Sequence, residues 1–275
     1  RLPDWYTPRY RYTHNMFSLG HFVRTRLGLP GPAMVISTAC SSSAKVFATA
    51  ARLMQAGLCD AAVVGGVDSL CLTTLYGFSA LQLLSADPCR PCDEDRDGLS
   101  LGEAAGYALL EFGERVGGRG TVALLGYGES TDGYHMSHPH PEGAGAVRAI
   151  RDSLARASLR AEDIEYINLH GTATRANDSV EDKAVYSIFG ARPACSSTKG
   201  WTGHTLGAAG ITEAVISALC LAQGLMPGTL NCRRVDSLLK SRILRENQIG
   251  SISFAVSNIF GFGGNNCSLV LGKLP

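Results

Sequence analysis

Along the chain, short apolar runs alternate with longer stretches in which apolar residues recur every three to four positions, the pattern of strands feeding helices. The first such unit is an apolar run at 33–36, small residues from 37 to 44, then Phe47, Ala50, Ala51 and Met54 at helical spacing, stopped by Gly57. A second apolar run, 61–64, ends at Gly65 and Gly66. Strand, sharp turn, helix and strand in that order predict a parallel crossover unit. Beyond Pro88 and Pro91, an acidic loop at 93–98 and a Gly/Ala-rich stretch lead into a strand at 107–111. The segment 113–120 carries four glycines and both signs of charge, and is the expected boundary between two halves, 1–120 and 121–275.

The second half repeats the pattern, with a strand at 122–125, a helix at 144–157, and a strand at 164–169 that leads into His170. A helix at 178–189 stops at Gly190. Then come a short strand at 194–197, a glycine-studded stretch at 199–210, and a long apolar helix to about Gln223. Two strands, 251–256 and 267–271, flank Gly261-Phe262-Gly263-Gly264. Strands alternating with helices predict an α/β fold of buried, parallel-rich sheets covered by helices.

Composition narrows the function classes. With 45% apolar and 18% charged residues in 275, the chain has a core to bury and is neither disordered nor a coiled coil. Lysine plus arginine (25) nearly balances aspartate plus glutamate (24), with no basic block to track a phosphate backbone, so nucleic acid is not an expected partner. Nine scattered cysteines in a chain too large to need stapling suit a reducing compartment. The longest apolar helix candidate, 206–226, contains Thr212, Glu213, Ser217 and Gln223, and no signal peptide opens the chain, so a soluble, cytoplasmic protein without a membrane span is expected. The chain begins at Arg1 without an initiator Met, and a fragment or a processed product is the expectation.

Candidate chemistry begins at Cys40. It sits where a strand should turn into a helix, inside Thr38-Ala39-Cys40-Ser41-Ser42-Ser43, and helix N-terminal amides there are expected to stabilise a thiolate. The alternative is a small core residue. Two histidines lie at element junctions among small residues, His170 in His170-Gly171-Thr172-Ala173-Thr174 and His204 in the run from Gly203 to Gly210, with Lys199 five positions before His204. A structural histidine and a solvated lysine are the bland alternatives.

Other patterns fail. Asp93, Asp95, Asp97 and Gly98 begin like a calcium loop, but its twelfth position is Ala104. Cys89 and Cys92 have no second pair at zinc-finger spacing, and His135, His138 and His140 lack a fourth ligand, so no metal is expected. The glycines at 261–264 lack dinucleotide-loop spacing. Ser196-Ser197-Thr198-Lys199 matches the SxxK of penicillin-binding enzymes, but Gly200-Trp201 follows and no Ser-Asp-Asn occurs.

Taken together, Thr38 to Ser43, Asp95-Arg96-Asp97-Gly98, His170 to Thr174, Lys199 to Gly210 and Asn258 to Asn266 resemble the elongating β-ketoacyl-acyl carrier protein synthases, type II ketosynthases of the thiolase-like superfamily. The resemblance implies a duplicated, layered α-β-α-β-α fold whose N-terminal half is incomplete in this chain. It implies that Cys40 takes an acyl chain from acyl carrier protein and that a decarboxylative Claisen condensation with malonyl-acyl carrier protein extends it by two carbons. His170 and His204 would donate to the malonyl thioester carbonyl, and Lys199 would give electrostatic support with Glu181 as its counter-charge. The backbone N–H groups of Cys40 and Phe262 would form the oxyanion hole, and Phe262 would gate the acyl pocket. Thr172, Thr174 and Ser137 would bind the phosphopantetheine arm, with Asp132 supporting a loop at the entrance.

By the same resemblance, acyl carrier protein and its malonyl and acyl forms are the partners, in a homodimer or a ketosynthase heterodimer. No cofactor is required of the enzyme, since phosphopantetheine arrives on the carrier. Cys92, Leu99, Arg175 and Asn265-Asn266 depart from the family pattern without touching the proposed reacting groups. The triple serine after Cys40 leans toward polyketide-type enzymes and Asp132 to Met136 toward fatty-acid ones, so the pathway stays open between fatty acids and polyketides or polyenes. The alternative function is a non-catalytic, chain-length-determining partner subunit of a heterodimer, against which Cys40, His170 and His204 together argue. A thiolase using Cys267 as a second cysteine is a third reading, less compatible with two histidines.

Overall fold

The structure, a computed structural model, describes residues 15–113 and 121–273. The chain divides into two compact units, residues 1–37 and 38–275. In the first, α1 (Phe17–Arg26) begins where the Asn15 side chain accepts the Phe17 N–H, and none of its residues is buried. Residues 33–36 carry no regular structure. The expected strand is absent because a strand exists only as part of a ladder, and the described residues offer this run none.

The second unit holds the sheets. β3 (Val122–Thr131), β10 (Asn265–Lys273), β9 (Phe254–Gly261), β4 (Tyr166–Asn168), β5 (Ala194–Ser196) and β7 (Arg242–Ile243) form a six-stranded sheet in that order. β10 runs antiparallel to both its neighbours, and β9, β4, β5 and β7 run parallel. Successive residues of β10 enter cores on opposite faces, as a period of two requires. Val270 packs with Ile150 and Leu154 of α4 (Ala144–Ala157) and Val185 and Phe189 of α5 (Arg175–Phe189). Leu269 packs with Ile211 and Ala214 of α7 (Ala209–Gln223) and Phe47 of α2 (Ser42–Gln55).

Beyond α2 and α7 lies a second sheet, β1 (Ala61–Asp68) paired antiparallel with β2 (Ala104–Glu111) from Ala61 opposite Glu111 to Asp68 opposite Ala104. Helices, sheet, helices and sheet give the layered α/β arrangement. The parallel crossover expected for the first half is corrected, since β1 finds an antiparallel partner in β2. α3 (Leu72–Ala80), between them, buries none of its residues, and β6 (Leu225–Met226) pairs with β8 (Gln248–Ile249). The expected boundary between halves, at 113–120, lies almost wholly outside the described residues.

Two features set α2 against α7. A Cβ at Gly210 would lie 2.3 Å from the Ala44 nitrogen, so only glycine lets the helix starts touch backbone to backbone. The Ile211 N–H also donates to Ser43 Oγ at 3.0 Å. The run Leu206–Gln223 is apolar and long enough to cross a membrane, with a mean hydropathy of 1.5, yet 56% of it is buried inside the protein.

Candidate active site

Cys40 is held by a turn made of its own neighbours. Ala39 is in the left-handed region, φ 53°, a conformation a side chain rarely adopts unless surrounding contacts hold it. Those contacts come from the serines. Ser41 Oγ donates to the Thr38 carbonyl at 2.9 Å, Ser42 Oγ donates to the Ala39 carbonyl at 2.6 Å, and the Thr38 N–H donates to Ser42 Oγ at 2.9 Å. The thiol is buried, and burial pushes its pKa up to about 11 against the pull of Lys199 and of the Phe262 and Cys40 N–H groups. The expected thiolate is thereby corrected. Backbone amides do face the sulfur, but desolvation outweighs them and the resting group is a thiol.

The other side chains arrive from the C-terminal ends of parallel strands, where open α/β sheets place their ligands. β4 leads into His170, and β5 leads through Thr198 into Lys199, the first residue of α6 (Lys199–Thr202). The loop after His170 is pinned from below by Glu181 of α5, whose two carboxylate oxygens accept the His170 and Gly171 N–H groups at 2.8 Å each. Burial raises the Glu181 pKa to about 8 in spite of those donors. His204 is strapped between strandlike residues, its N–H donating to the Ser100 carbonyl at 2.7 Å and its carbonyl accepting the Gly102 N–H at 2.9 Å.

The result is a buried cluster. Cys40 Sγ and His204 Nε2 lie 3.0 Å apart, and the His170 and His204 rings meet edge to face at 5.3 Å. Both histidines have pKa values well below 6.5, first through desolvation and then through the Lys199 charge, so both are neutral at physiological pH. Lys199 Nζ donates to the His170 carbonyl at 2.5 Å and lies 3.3 Å from His170 Nδ1.

Lys199 does not pair with Glu181, as the sequence suggested. Its ion pair is with Glu213 of α7, both side chains buried. Glu181 is committed to two backbone donors, which leaves the ammonium to the one acid that α7 turns inward. Burial pushes Glu213 up to about 7 despite the neighbouring ammonium. Glu213 is the residue sequence reasoning missed, and its signal was a lone acid on an otherwise apolar helix. Arg96 is a second omission. Fully buried, its guanidinium reaches Asp178 and Asp236, and Asp178 accepts the Cys92 and Ala173 N–H groups, which ties the 93–98 loop to the His170 loop.

The remaining expected residues line one cleft with Cys40, His170 and His204. Thr172, Thr174, Ser137, Asp132 and Phe262 all border it. Thr172 and Thr174 share a hydroxyl contact of 2.9 Å, and Thr174 caps α5 by accepting the Asn177 N–H. Asp132 accepts the His140 N–H and the Asn266 amide, at 2.9 and 2.8 Å, while its own N–H donates to the Gly264 carbonyl. The loop at 132–140 is thus fastened to the glycine-rich turn. There, Phe262 stacks on Phe78 at 5.5 Å. Asp93 spends its carboxylate on the N–H groups of Asp95, Arg233 and Arg234. All nine cysteines are free.

Comparison with known proteins gives a consistent neighbourhood. The N-terminal domain profile of the beta-ketoacyl synthases matches residues 8–115, and their C-terminal domain profile matches residues 122–233. A 3-oxoacyl-[acyl-carrier-protein] synthase 2 from Rhizobium meliloti is 40% identical over 91% of this chain and 63% of its own length. The mitochondrial 3-oxoacyl-[acyl-carrier-protein] synthase of Arabidopsis thaliana is 37% identical over 100% of this chain and 62% of its own length. A Xenorhabdus doucetiae ketosynthase, solved in complex with its chain length factor, superposes with a TM-score of 0.92 at 42% identity, covering 98% of this chain and 67% of its own. The chain therefore spans just under two thirds of the length of the curated relatives it matches.

Proposed function

The chain belongs to the beta-ketoacyl synthase family, and from that premise we propose that it is the part of a β-ketoacyl-acyl carrier protein synthase that carries the reacting groups. The reading rests on one observation, the buried convergence of Cys40, His170 and His204 with Cys40 Sγ 3.0 Å from His204 Nε2. Cys40 attacks the thioester of acyl-acyl carrier protein, and its thiol proton leaves with the departing carrier thiol, while His204 keeps its own ring proton. Negative charge on the tetrahedral intermediate falls to the N–H groups of Cys40 and Phe262, the two amides that bear on the thiol.

Malonyl-acyl carrier protein enters next. Neutral His170 and His204 donate ring N–H groups to its thioester carbonyl, carbon dioxide leaves, and the enolate carbon attacks the Cys40 thioester. The Cys40–acyl bond breaks, a carbon–carbon bond forms, the Cys40 thiolate takes up a proton from water, and the β-ketoacyl product leaves on the carrier two carbons longer. Lys199, paired with Glu213, fixes the His170 backbone and supplies positive charge. Thr172, Thr174 and Ser137 hold the phosphopantetheine arm, Glu181 and Asp132 hold the loops that carry these groups, and Phe262 gates the acyl side.

The enzyme needs no cofactor of its own in this reading, and its partners are acyl carrier protein and a second ketosynthase subunit, identical or not. Free thiols and a buried apolar helix suit a soluble, cytoplasmic protein. A non-catalytic partner subunit is disfavoured by the intact Cys, His, His set. The test separates the two steps. Cys40→Gln is expected to abolish condensation yet release carbon dioxide from malonyl-acyl carrier protein, and His170→Ala to lose both. Loss of decarboxylation in Cys40→Gln that folds normally contradicts this division of labour.

A further inference from the structure

The three reacting side chains are also a ligand set. One sulfur and two imidazole nitrogens lie within 4.8 Å of one another, all buried. In a tetrahedral zinc site, with Zn–S of about 2.3 Å and Zn–N of about 2.0–2.1 Å, neighbouring ligand atoms stand roughly 3.4–3.6 Å apart. The Cys40–His204 pair at 3.0 Å must therefore open by about 0.6 Å, and the widest pair, at most 4.8 Å, must close by no more than about 1.4 Å. Side-chain rotation covers both movements.

We propose that Cys40, His170 and His204 form a reversible site for a thiophilic divalent cation of the zinc class, which occupies the place of the acyl group and silences the nucleophile. The silencing rests on the reading of Cys40 as the acylated residue, whereas the binding does not. Three protein ligands leave a fourth position open, as in zinc sites that keep an exchangeable water. The cleft bordered by Thr172, Thr174 and Phe262 is the entry path. On binding, the Cys40 S–H bond breaks, its proton leaves to solvent and a sulfur–metal bond forms, with no change of oxidation state.

The surroundings make the site exchangeable rather than structural. Histidines that hold a permanent metal donate their other ring N–H to a carboxylate or carbonyl, and loss of such a partner costs about 10–100-fold in affinity. His204 Nδ1 is buried with no hydrogen-bond partner among the described residues, and His170 Nδ1 faces the Lys199 ammonium at 3.3 Å. That ammonium also repels a second cation.

The probe is Co2+, titrated into the metal-free chain and followed by thiolate-to-cobalt charge-transfer absorption. One equivalent is expected to raise the band in the wild type. The band should be missing in Cys40→Ala and, with no variant fold in question, in wild type alkylated at Cys40. His135 and His138, whose Nδ1 atoms lie 3.1 Å apart on an exposed loop, are the competing chelate, and His135→Ala/His138→Ala should keep the band. One equivalent of Zn2+ should abolish acyl loading and a chelator should restore it. A band that survives alkylation, or disappears in the double variant, overturns the site. A chain that loads acyl groups on Cys40 but gives no band overturns the metal site and leaves the condensing reading standing. A Cys40-dependent band in a chain that never loads acyl groups supports the metal site and overturns that reading.

Discussion

Cys40 and the two histidines are held in different ways. Cys40 depends on a turn of four residues, a strained Ala39 and three hydroxyl-containing neighbours, at the start of a helix whose far side meets a sheet that has two strands among the described residues. One face of that sheet exposes Val67, Tyr107 and Leu109. His170 and Lys199 stand instead on a six-stranded sheet with helices on both faces, and buried acids fix them, Glu181 through backbone and Glu213 through charge. Local hydroxyl bonds suffice where one small sulfur must be aimed. A buried ammonium beside two neutral imidazoles needs a charge partner that only the fold can deliver.

The contrast can be broken at either end. The largest effect concerns the thiol itself. With its pKa near 11, alkylation of Cys40 should accelerate about tenfold per pH unit between pH 7 and pH 10, because only the thiolate reacts. A plateau near pH 8 would show that the amides outweigh burial after all. On the histidine side, Glu213→Gln strands Lys199 as an unpaired buried charge and is expected to cost about 3–5 kcal/mol in denaturant unfolding. Glu181→Gln keeps one acceptor of two and should cost about 1–3 kcal/mol, with kcat falling more than KM as His170 shifts. On the cysteine side, Ser42→Ala should cost about 0.5–1.5 kcal/mol, although it removes two hydrogen bonds, since neither involves a charge. Leu109→Thr, on the exposed face, should stay within about 0.5 kcal/mol. If Ser42→Ala proves as costly as Glu213→Gln, the two regions are not held differently.

The same contrast explains what could be read in the sequence. The helix at 144–157 was legible to the residue, because burial of Ala146, Ala149, Ile150, Ser153 and Leu154 writes a helical period into the chain. α1 and α3 bury nothing and so leave no such period. β4 and β5 contain three residues each, and their strand character comes from the sheet around them. The run at 33–36 has strand composition, but pairing is a property of neighbours. At the site, residue types and junction positions marked Cys40, His170, Lys199 and His204, and family resemblance joined them. The choice of Glu213 over Glu181 as the lysine's partner was illegible, because it depends on how α7 is rotated against β4 and β5. The raised thiol pKa was illegible for a related reason, since burial follows from packing while a helix start is visible in sequence.

The central claim is that Cys40 carries the acyl chain. Intact mass spectrometry of the purified chain after incubation with an acyl-acyl carrier protein, wild type against Cys40→Ala, tests it directly. An acyl mass increment in the wild type alone is the expected result. No increment in folded wild-type protein, or an equal increment in Cys40→Ala, contradicts it.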